Sequence, residues 1–325
     1  MGRMGKTIAS QAYCVIIERA ERYTGEEHPP ARWKGRRIMT TAPGSSEENT
    51  YIINTEDAAE MARLLDQDML TTRSMGGLFP ERSPDLEGIH NILDVACGPG
   101  GWVLSLAKEY PDIEVTGVDI SERMIRYAQA FARAQGLRNA HFRLMNILKP
   151  MDFASQSFDM INARLLEGLM TPATWPALLK EMVRVCRPGG TIRLTETEGP
   201  ITTSPAFERL SRIGLHTAHQ QKRCFAPDER NIGITAVLGR MLLQAGCQHI
   251  HKKAHVFDLS AEAQDREGWF QNWTTVYDLA RPFFLKMGLI TYDEFLELHQ
   301  QMVSEMLADD FGGVFYGLTV WGECP

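Results

Sequence analysis

The stretch Asn91-Ile92-Leu93-Asp94-Val95-Ala96-Cys97-Gly98-Pro99-Gly100-Gly101-Trp102 limits what this chain can fold into more than any other. Ile92, Leu93, Val95 and Ala96 suit a strand buried on both faces. Gly98, Gly100 and Gly101 let the backbone turn sharply and approach a ligand. A helix is expected to start near Trp102, and its unpaired N–H groups and partial positive charge favour an anionic ligand group just above the turn. The dinucleotide pattern G-x-G-x-x-G needs glycine at 103, where Val103 stands, which counts against a nicotinamide dinucleotide. Asp94, inside the strand end, puts a carboxylate where it can meet a cationic amino group or order the loop.

The following segments repeat the strand-then-helix rhythm. Val115 to Ser121 reads as a second strand ending in Asp119, about twenty residues past the glycines, where a carboxylate accepts both ribose hydroxyls. A third strand, Ala140 to Met145, runs into Asn146-Ile147. Ser157 to Arg164 reads as a fourth, and Arg187-Pro188-Gly189-Gly190 as the turn into a fifth, Thr191 to Thr195. Alternating βα units imply a doubly wound, mostly parallel α/β sheet with right-handed crossovers. Ser121 is placed to cap a helix carrying Met124, Tyr127, Ala128 and Phe131. Thr171-Pro172 or Thr174 opens another with Leu178, Leu179, Met182 and Val183 toward the sheet.

Taken in order, these landmarks resemble the class I S-adenosylmethionine (SAM) dependent methyltransferases. The Asp94 strand with its glycine turn is similar to motif I, and Ser157 to Arg164 to motif IV. The resemblance implies a Rossmann-like sheet of seven strands in the order 3-2-1-4-5-7-6, the last antiparallel, with SAM as cofactor. It implies that the loop of Asp94, Ala96, Gly98, Pro99 and Gly100 holds the methionine half. Asp119 would take the ribose, Ile120 and Met124 the adenine, and Asn146, Ile147 and Ala163 the remaining cofactor edge. Asn146 departs from the family's usual Asp but still accepts from an exocyclic amine.

The rest of the chain is read around this core, residues 89–198. Residues 1–38 carry a net charge of +4 against −7 for all 325 residues. Residues 24 to 50 hold too many breakers to fold alone, so residues 1–50 are expected to be a flexible basic segment. A basic arm for RNA and a translation start at Met39 stay open as alternatives. Residues 51–88 are expected to form a helical cover. Asn54 or Thr55 caps a helix running to about Thr72, with Ala58, Met61, Leu65 and Met69 on one stripe, and Arg73 in reach of the methionine carboxylate. In residues 199–325 a helix from Leu238 to Ala245, a strand from His249 to Leu259 and a strand from Gly312 to Trp321 complete the sheet. Two insertions, 200–233 and 260–310, would form a C-terminal cap over the acceptor, with the aromatic stripe of the second open to a reading as core, as cap or as both. The second carries Trp269, Trp273, Val276, Tyr277, Ala280, Phe284 and Met287 at helical spacing. A Thr291/Glu294 capping box then opens a helix with Phe295, Leu298, Met302 and Met306.

Function classes narrow further. The acidic balance argues against non-specific nucleic-acid binding. No run approaches a membrane span or a secretory core, so a cytoplasmic protein with a small, partly apolar acceptor is expected, of undetermined oligomeric state. The six cysteines lack metal or disulfide spacing. Cys247, His249, His251 and His255 share one parity on a strand but spread too far to converge on an ion, so no metal is expected. Methyl transfer, to O or C, needs alignment first and a base second. Candidate catalytic residues stand at strand ends: Arg164 and Glu167 after the fourth strand, Glu196 and Glu198 after the fifth. His216 and His219 are expected to point away from the apolar side of a helix begun at Ser204-Pro205. A catalytically idle SAM-binding partner protein and a NAD-dependent oxidoreductase are the alternatives.

Overall fold

The computed structural model describes residue 53, residues 58–81 and residues 86–325. The basic segment and the helix cap expected at Asn54 or Thr55 lie outside these residues. Helix α1 (Ala58–Met75) is followed by Gly76 and Gly77 at φ 94° and 125°, a left-handed stop that glycine alone adopts cheaply. Then come β1 (Asn91–Val95), α2 (Gly101–Glu109), β2 (Glu114–Asp119), α3 (Glu122–Gln135), β3 (Ala140–Leu144) and β4 (Phe158–Arg164). A one-turn 3-10 helix, Leu166–Gly168, leads to α4 (Trp175–Val185) and β5 (Cys186–Thr197). The remainder is β6 (Ile201–Thr202), α5 (Pro205–Gln220), α6 (Ile234–Gln244), β7 (Gln248–Asp258), α7 (Arg266–Lys286), α8 (Tyr292–Met306) and β8 (Gly313–Glu323).

The sheet runs β3-β2-β1-β4-β5-β8, with β7 on the far edge of β8. The two-residue β6 continues past β5 along the same edge of β8, so the sheet counts eight strands rather than seven. Without β6 the order is the expected one. The first five strands are parallel, and β8 is antiparallel to both β5 and β7.

Period-two alternation sends Leu93, Val95, Ile161 and Ile192 to one face, under α4 and α6, and Ile92, Val115 and Met160 to the other, under α2 and α3. Both faces are covered, which is why these strands read as nearly continuous apolar runs. A third cluster belongs to the C-terminal half. Phe207, Phe257, Trp269, Phe284, Phe295 and Met302 join α5, α7 and α8 to the β7–β8 end of the sheet. The Thr291/Glu294 capping box is present, and Ser204 caps α5 with Pro205 in its first turn.

Several side chains point elsewhere than their spacing suggests. On α3 the buried face is Met124, Ile125, Ala128 and Ala132, whose small members let the helix lie against Gly100 and Phe142. Tyr127 and Phe131 instead stack on each other, 5.8 Å between ring centres, with Phe131 40% exposed. On α1 Met69 is exposed, and the buried residues are Glu60, Arg63, Leu70, Thr71 and Met75. In β7 a register shift between Gln248 and His251, with His249 at φ 49°, sets His249 apart from His251 and His255, which keep one parity. His249 pairs with Glu323, His251 stacks on Trp321, and buried His255 bonds the Thr319 hydroxyl. Among the described residues no helix is long and apolar enough to cross a membrane.

Candidate active site

The glycine turn and the end of β2 are bound into one unit. Gly98 N donates to Asp119 Oδ2 and Ser121 N to Oδ1, each at 2.9 Å, so the carboxylate that ends β2 also holds the turn after β1. The Ile120 N–H also reaches this carboxylate, which still has lone-pair room for a ligand. Gly100 has φ 83°, and a Cβ there would lie 2.5 Å from Phe142. It supports the turn from behind and does not line the cavity, contrary to expectation. A Cβ on Gly101 would lie 2.6 Å from Asp68 Oδ2, so the anionic group expected over the start of α2 is supplied within the chain by α1.

A cavity of about 400 Å³ opens above the carboxyl ends of β1, β2 and β4. Asp94, Ala96, Gly98, Pro99, Asp119 and Ile120 line it, together with Met124, Asn146 and Ile147. Asn146 Oδ1 also accepts from Leu148 N at 2.9 Å, capping its own turn. Ala163, expected here, is fully buried inside β4 and packs in the core instead.

Asp94 stands at the head of a buried polar chain. It accepts from Asn162 Nδ2 at 2.8 Å, and Asn162 Oδ1 accepts from Arg193 Nη1 at 2.7 Å. Arg193 is paired with Glu81, both 1% exposed. Burial pushes the Asp94 carboxyl up to about 7 against the pull of Arg164. Burial likewise raises Asp119, opposed by the N–H groups of Ser121 and Gly98. Arg164 lines the cavity but is already engaged, ion-paired with Asp68 and donating to Thr72 Oγ1 at 3.1 Å.

Helix α1 therefore contributes charge where apolar packing was expected. Arg63 grips Glu60 through two 2.7 Å bonds and reaches Asn272 Oδ1 on α7 at 2.9 Å, and both Arg63 and Asn272 line the cavity. The signal was present as Glu60, Arg63 and Gln67 at helical spacing, a face that reads as solvated when no neighbour is known. Arg73 points outward to Asp265 and does not line the cavity.

The other half of the cavity comes from distant segments. Leu165, at φ 58°, bends the chain after β4, and Leu166, Glu167, Leu169 and Met170 follow along the wall. Thr217, Ala218 and Gln221 from α5 and Trp269, Trp273 and Val276 from α7 close it. The α7 stripe thus divides: Tyr277, Ala280 and Phe284 are core, Trp269 is both core and wall, and Met287 is 43% exposed. His216 turns away from the wall to Glu229 at 2.8 Å, and His219 lies near the same carboxylate.

Glu196 and Glu198, both expected at the acceptor, are buried and face backbone instead. Glu196 accepts from Leu166 N and Glu167 N, each at 3.0 Å, and so shapes the turn after β4. Burial, and then the neighbouring Glu167, push it well above the usual carboxyl range. Glu198 accepts from Gly233 N at 2.9 Å, Thr235 N at 3.1 Å and Thr235 Oγ1 at 2.7 Å, capping α6. Neither lines the cavity, whereas Glu167 does. Strand-end position alone does not separate a carboxylate that caps a helix from one that meets a ligand.

Comparison with known proteins agrees with this geometry. A family profile described as "Methyltransferase domain" matches residues 92–190. A demethylmenaquinone methyltransferase of Geobacillus kaustophilus is 36% identical over 183 residues, covering 52% of this chain and 75% of that protein. The corresponding protein of Lactococcus lactis is 33% identical over 134 residues, which span 41% of this chain and only 51% of that one. Methyltransferase str2 of Strobilurus tenacellus is 29% identical over 65% of this chain and 66% of its own length. The chain belongs to the class I SAM-dependent methyltransferases, whose cofactor is S-adenosylmethionine.

Proposed function

We propose that this protein transfers a methyl group from SAM to a small, largely apolar acceptor held beneath α5 and α7. The observation that carries the reading is one cavity with two unlike halves: a glycine turn with strand-end carboxylates on one side, and an aromatic and aliphatic wall on the other. Two relatives bear the name of an enzyme acting on a quinone, an acceptor with an apolar body.

In this reading Asp119 accepts the ribose hydroxyls with the lone pairs left over from Gly98 and Ser121, while Ile120, Met124 and Ile147 flank the adenine. Asp94 meets the cationic amino group of the methionine half, and Asn162 keeps it turned toward the cavity. Bound SAM supplies an electrophilic methyl on a sulfonium. The chain's own part is to hold the acceptor in line and dry, and such alignment is worth about 7–11 kcal/mol. Residues 260–310 act as the cap, residues 58–81 as the cover and residues 89–198 as the cofactor core.

Calorimetry with SAM, its demethylated product and NADH tests the reading. SAM and the product are expected to bind and NADH not to. Asp119→Ala is expected to weaken SAM about ten- to a hundredfold, the loss of charge-assisted hydrogen bonds. Unchanged affinity in a folded variant would remove Asp119 from the ribose, and tight NADH binding would overturn the reading.

A further inference from the structure

Asp94, Asn162 and Arg193 stand side by side on β1, β4 and β5, each the register partner of the next, and form one row across the sheet. The rows on either side, Leu93 with Ile161 and Ile192 and Val95 with Ala163 and Leu194, are apolar and buried. A carboxyl, an amide and a cation buried in such a sheet stabilise it no better than apolar residues of similar size, so packing alone does not call for this row. Glu81 closes its far end, and of the four side chains only Asp94 lines the cavity.

The row has a direction. A guanidinium only donates, so the Asn162 atom facing Arg193 Nη1 is Oδ1, and the amide is thereby turned to offer an N–H from Nδ2 to Asp94. Glu81 holds the guanidinium in turn, with Arg193 Nη2 at 3.3 Å from its Oε2. An N–H turned toward a carboxyl favours the charged form, whereas an amide free to turn over sets its oxygen there and favours the protonated acid. Resting on the methyl-transfer reading above, we propose that Asn162, Arg193 and Glu81 are positioning residues that keep Asp94 charged and aimed at the amino group of the methionine half. Asp68 from α1, Arg164 from β4 and Cys97 from the glycine turn face the same carboxyl. With burial raising Asp94 to about 7, one hydrogen bond decides its charge near neutrality.

The test is calorimetry of the full chain with S-adenosylhomocysteine and with its deamino analogue, identical but for the amino group. At pH 7 the wild type is expected to prefer S-adenosylhomocysteine about tenfold or more, the worth of a hydrogen bond between charged groups. Two variants reach the row differently. Asn162→Leu keeps the pair of Glu81 and Arg193, and the double change Glu81→Met with Arg193→Met removes both charges together so that neither is stranded. In each the preference is expected to fall to about twofold or less, and the rise of S-adenosylhomocysteine affinity with pH to move about one unit higher, because the carboxylate has lost its donor. A purely structural role would weaken both ligands alike and leave the pH profile in place. Urea denaturation shows which variant is folded, and either one decides the matter. A wild-type preference and pH profile in a folded variant, or an equal loss with both ligands, overturns the proposal. Failure of the wild type to bind S-adenosylhomocysteine or to prefer it, or an Asp94→Asn variant that keeps the preference, would instead overturn the reading on which it rests.

Discussion

The two halves of the cavity are built in opposite ways. The cofactor half comes from consecutive strand ends, where Asp94, Gly98, Asp119 and Asn146 follow one another along the chain and the parallel sheet sets them side by side. The half assigned to the acceptor is assembled from the turn after β4, from α5 and from α7, held together by long-range contacts such as Phe207 to Trp273, Phe207 to Tyr277 and Ser211 to Tyr277. A strand end next to its neighbour in a sheet is a local consequence of hydrogen bonding. A wall made of three separated helical segments depends on packing that no short window contains. On the reading proposed above, the cofactor falls to the regular part and acceptor choice to the assembled part.

The largest effect that can break this contrast lies under the cofactor half. Arg193→Ala leaves Glu81 buried without its cation and Asn162 without a donor, at a cost of about 3–5 kcal/mol in urea denaturation. A loss below about 1 kcal/mol would show that the buried chain under Asp94 relaxes freely, and that the cofactor half is no more rigid than the other. Next, Glu198→Ala removes the cap of α6 and is expected to cost about 1–3 kcal/mol of stability. Because Glu198 does not line the cavity, kcat at saturation should stay within about twofold, as for changes away from a site. A collapse of kcat in a stable, folded variant would return Glu198 to the reaction.

The smallest and most diagnostic effect is one of pH. With the Asp94 carboxyl raised to about 7 by burial, the free protein at pH 6 holds it mostly protonated. A cationic amino group favours the charged form, so binding releases a proton and affinity for S-adenosylhomocysteine should rise with pH. The rise between pH 6 and pH 8 should approach about tenfold, flattening once the carboxylate is fully ionised. Asp94→Asn should bind weakly and without that slope. Asp68, Arg164 and Arg193 face the same carboxyl, and of these Asp68 is the other group that can titrate, so an unchanged slope in Asp94→Asn would assign the titration to Asp68 or to the ligand.

The same division explains what could be read in advance. The strands, the glycine turn and the capping box follow from period-two burial, backbone conformation and short-range hydrogen bonds, all visible in a window of a few residues, whereas the strand order is implied only by the family resemblance. Gly100 and Ala163 lie on the expected turn and strand but face away from the cavity, because position along the chain says where a residue sits and not which of its neighbours intervenes. Glu196 and Glu198 were misjudged for a related reason: the backbone N–H groups they hold come from Leu166, Gly233 and Thr235, far along the chain. On α1 the apolar stripe at Ala58, Met61, Leu65 and Met69 suggested the wrong buried face. The helix covers a polar cavity, where Glu60 and Arg63 are stabilised by each other and by Asn272.

One feature of the sheet bears on how the chain reaches this state during synthesis. Strand β8 lies between β5 and β7, and among the described residues β7 pairs with no strand but β8. As the chain leaves the ribosome, β1 to β5 can form a sheet early, but β7 emerges to find no partner and must wait while α7 and α8 are made. Until residues 313–323 arrive, two strand edges stand open, the arrangement most prone to pairing with another chain. Chains stalled before Gly313 are therefore expected to aggregate or recruit chaperones, although every residue that lines the glycine turn is already in place.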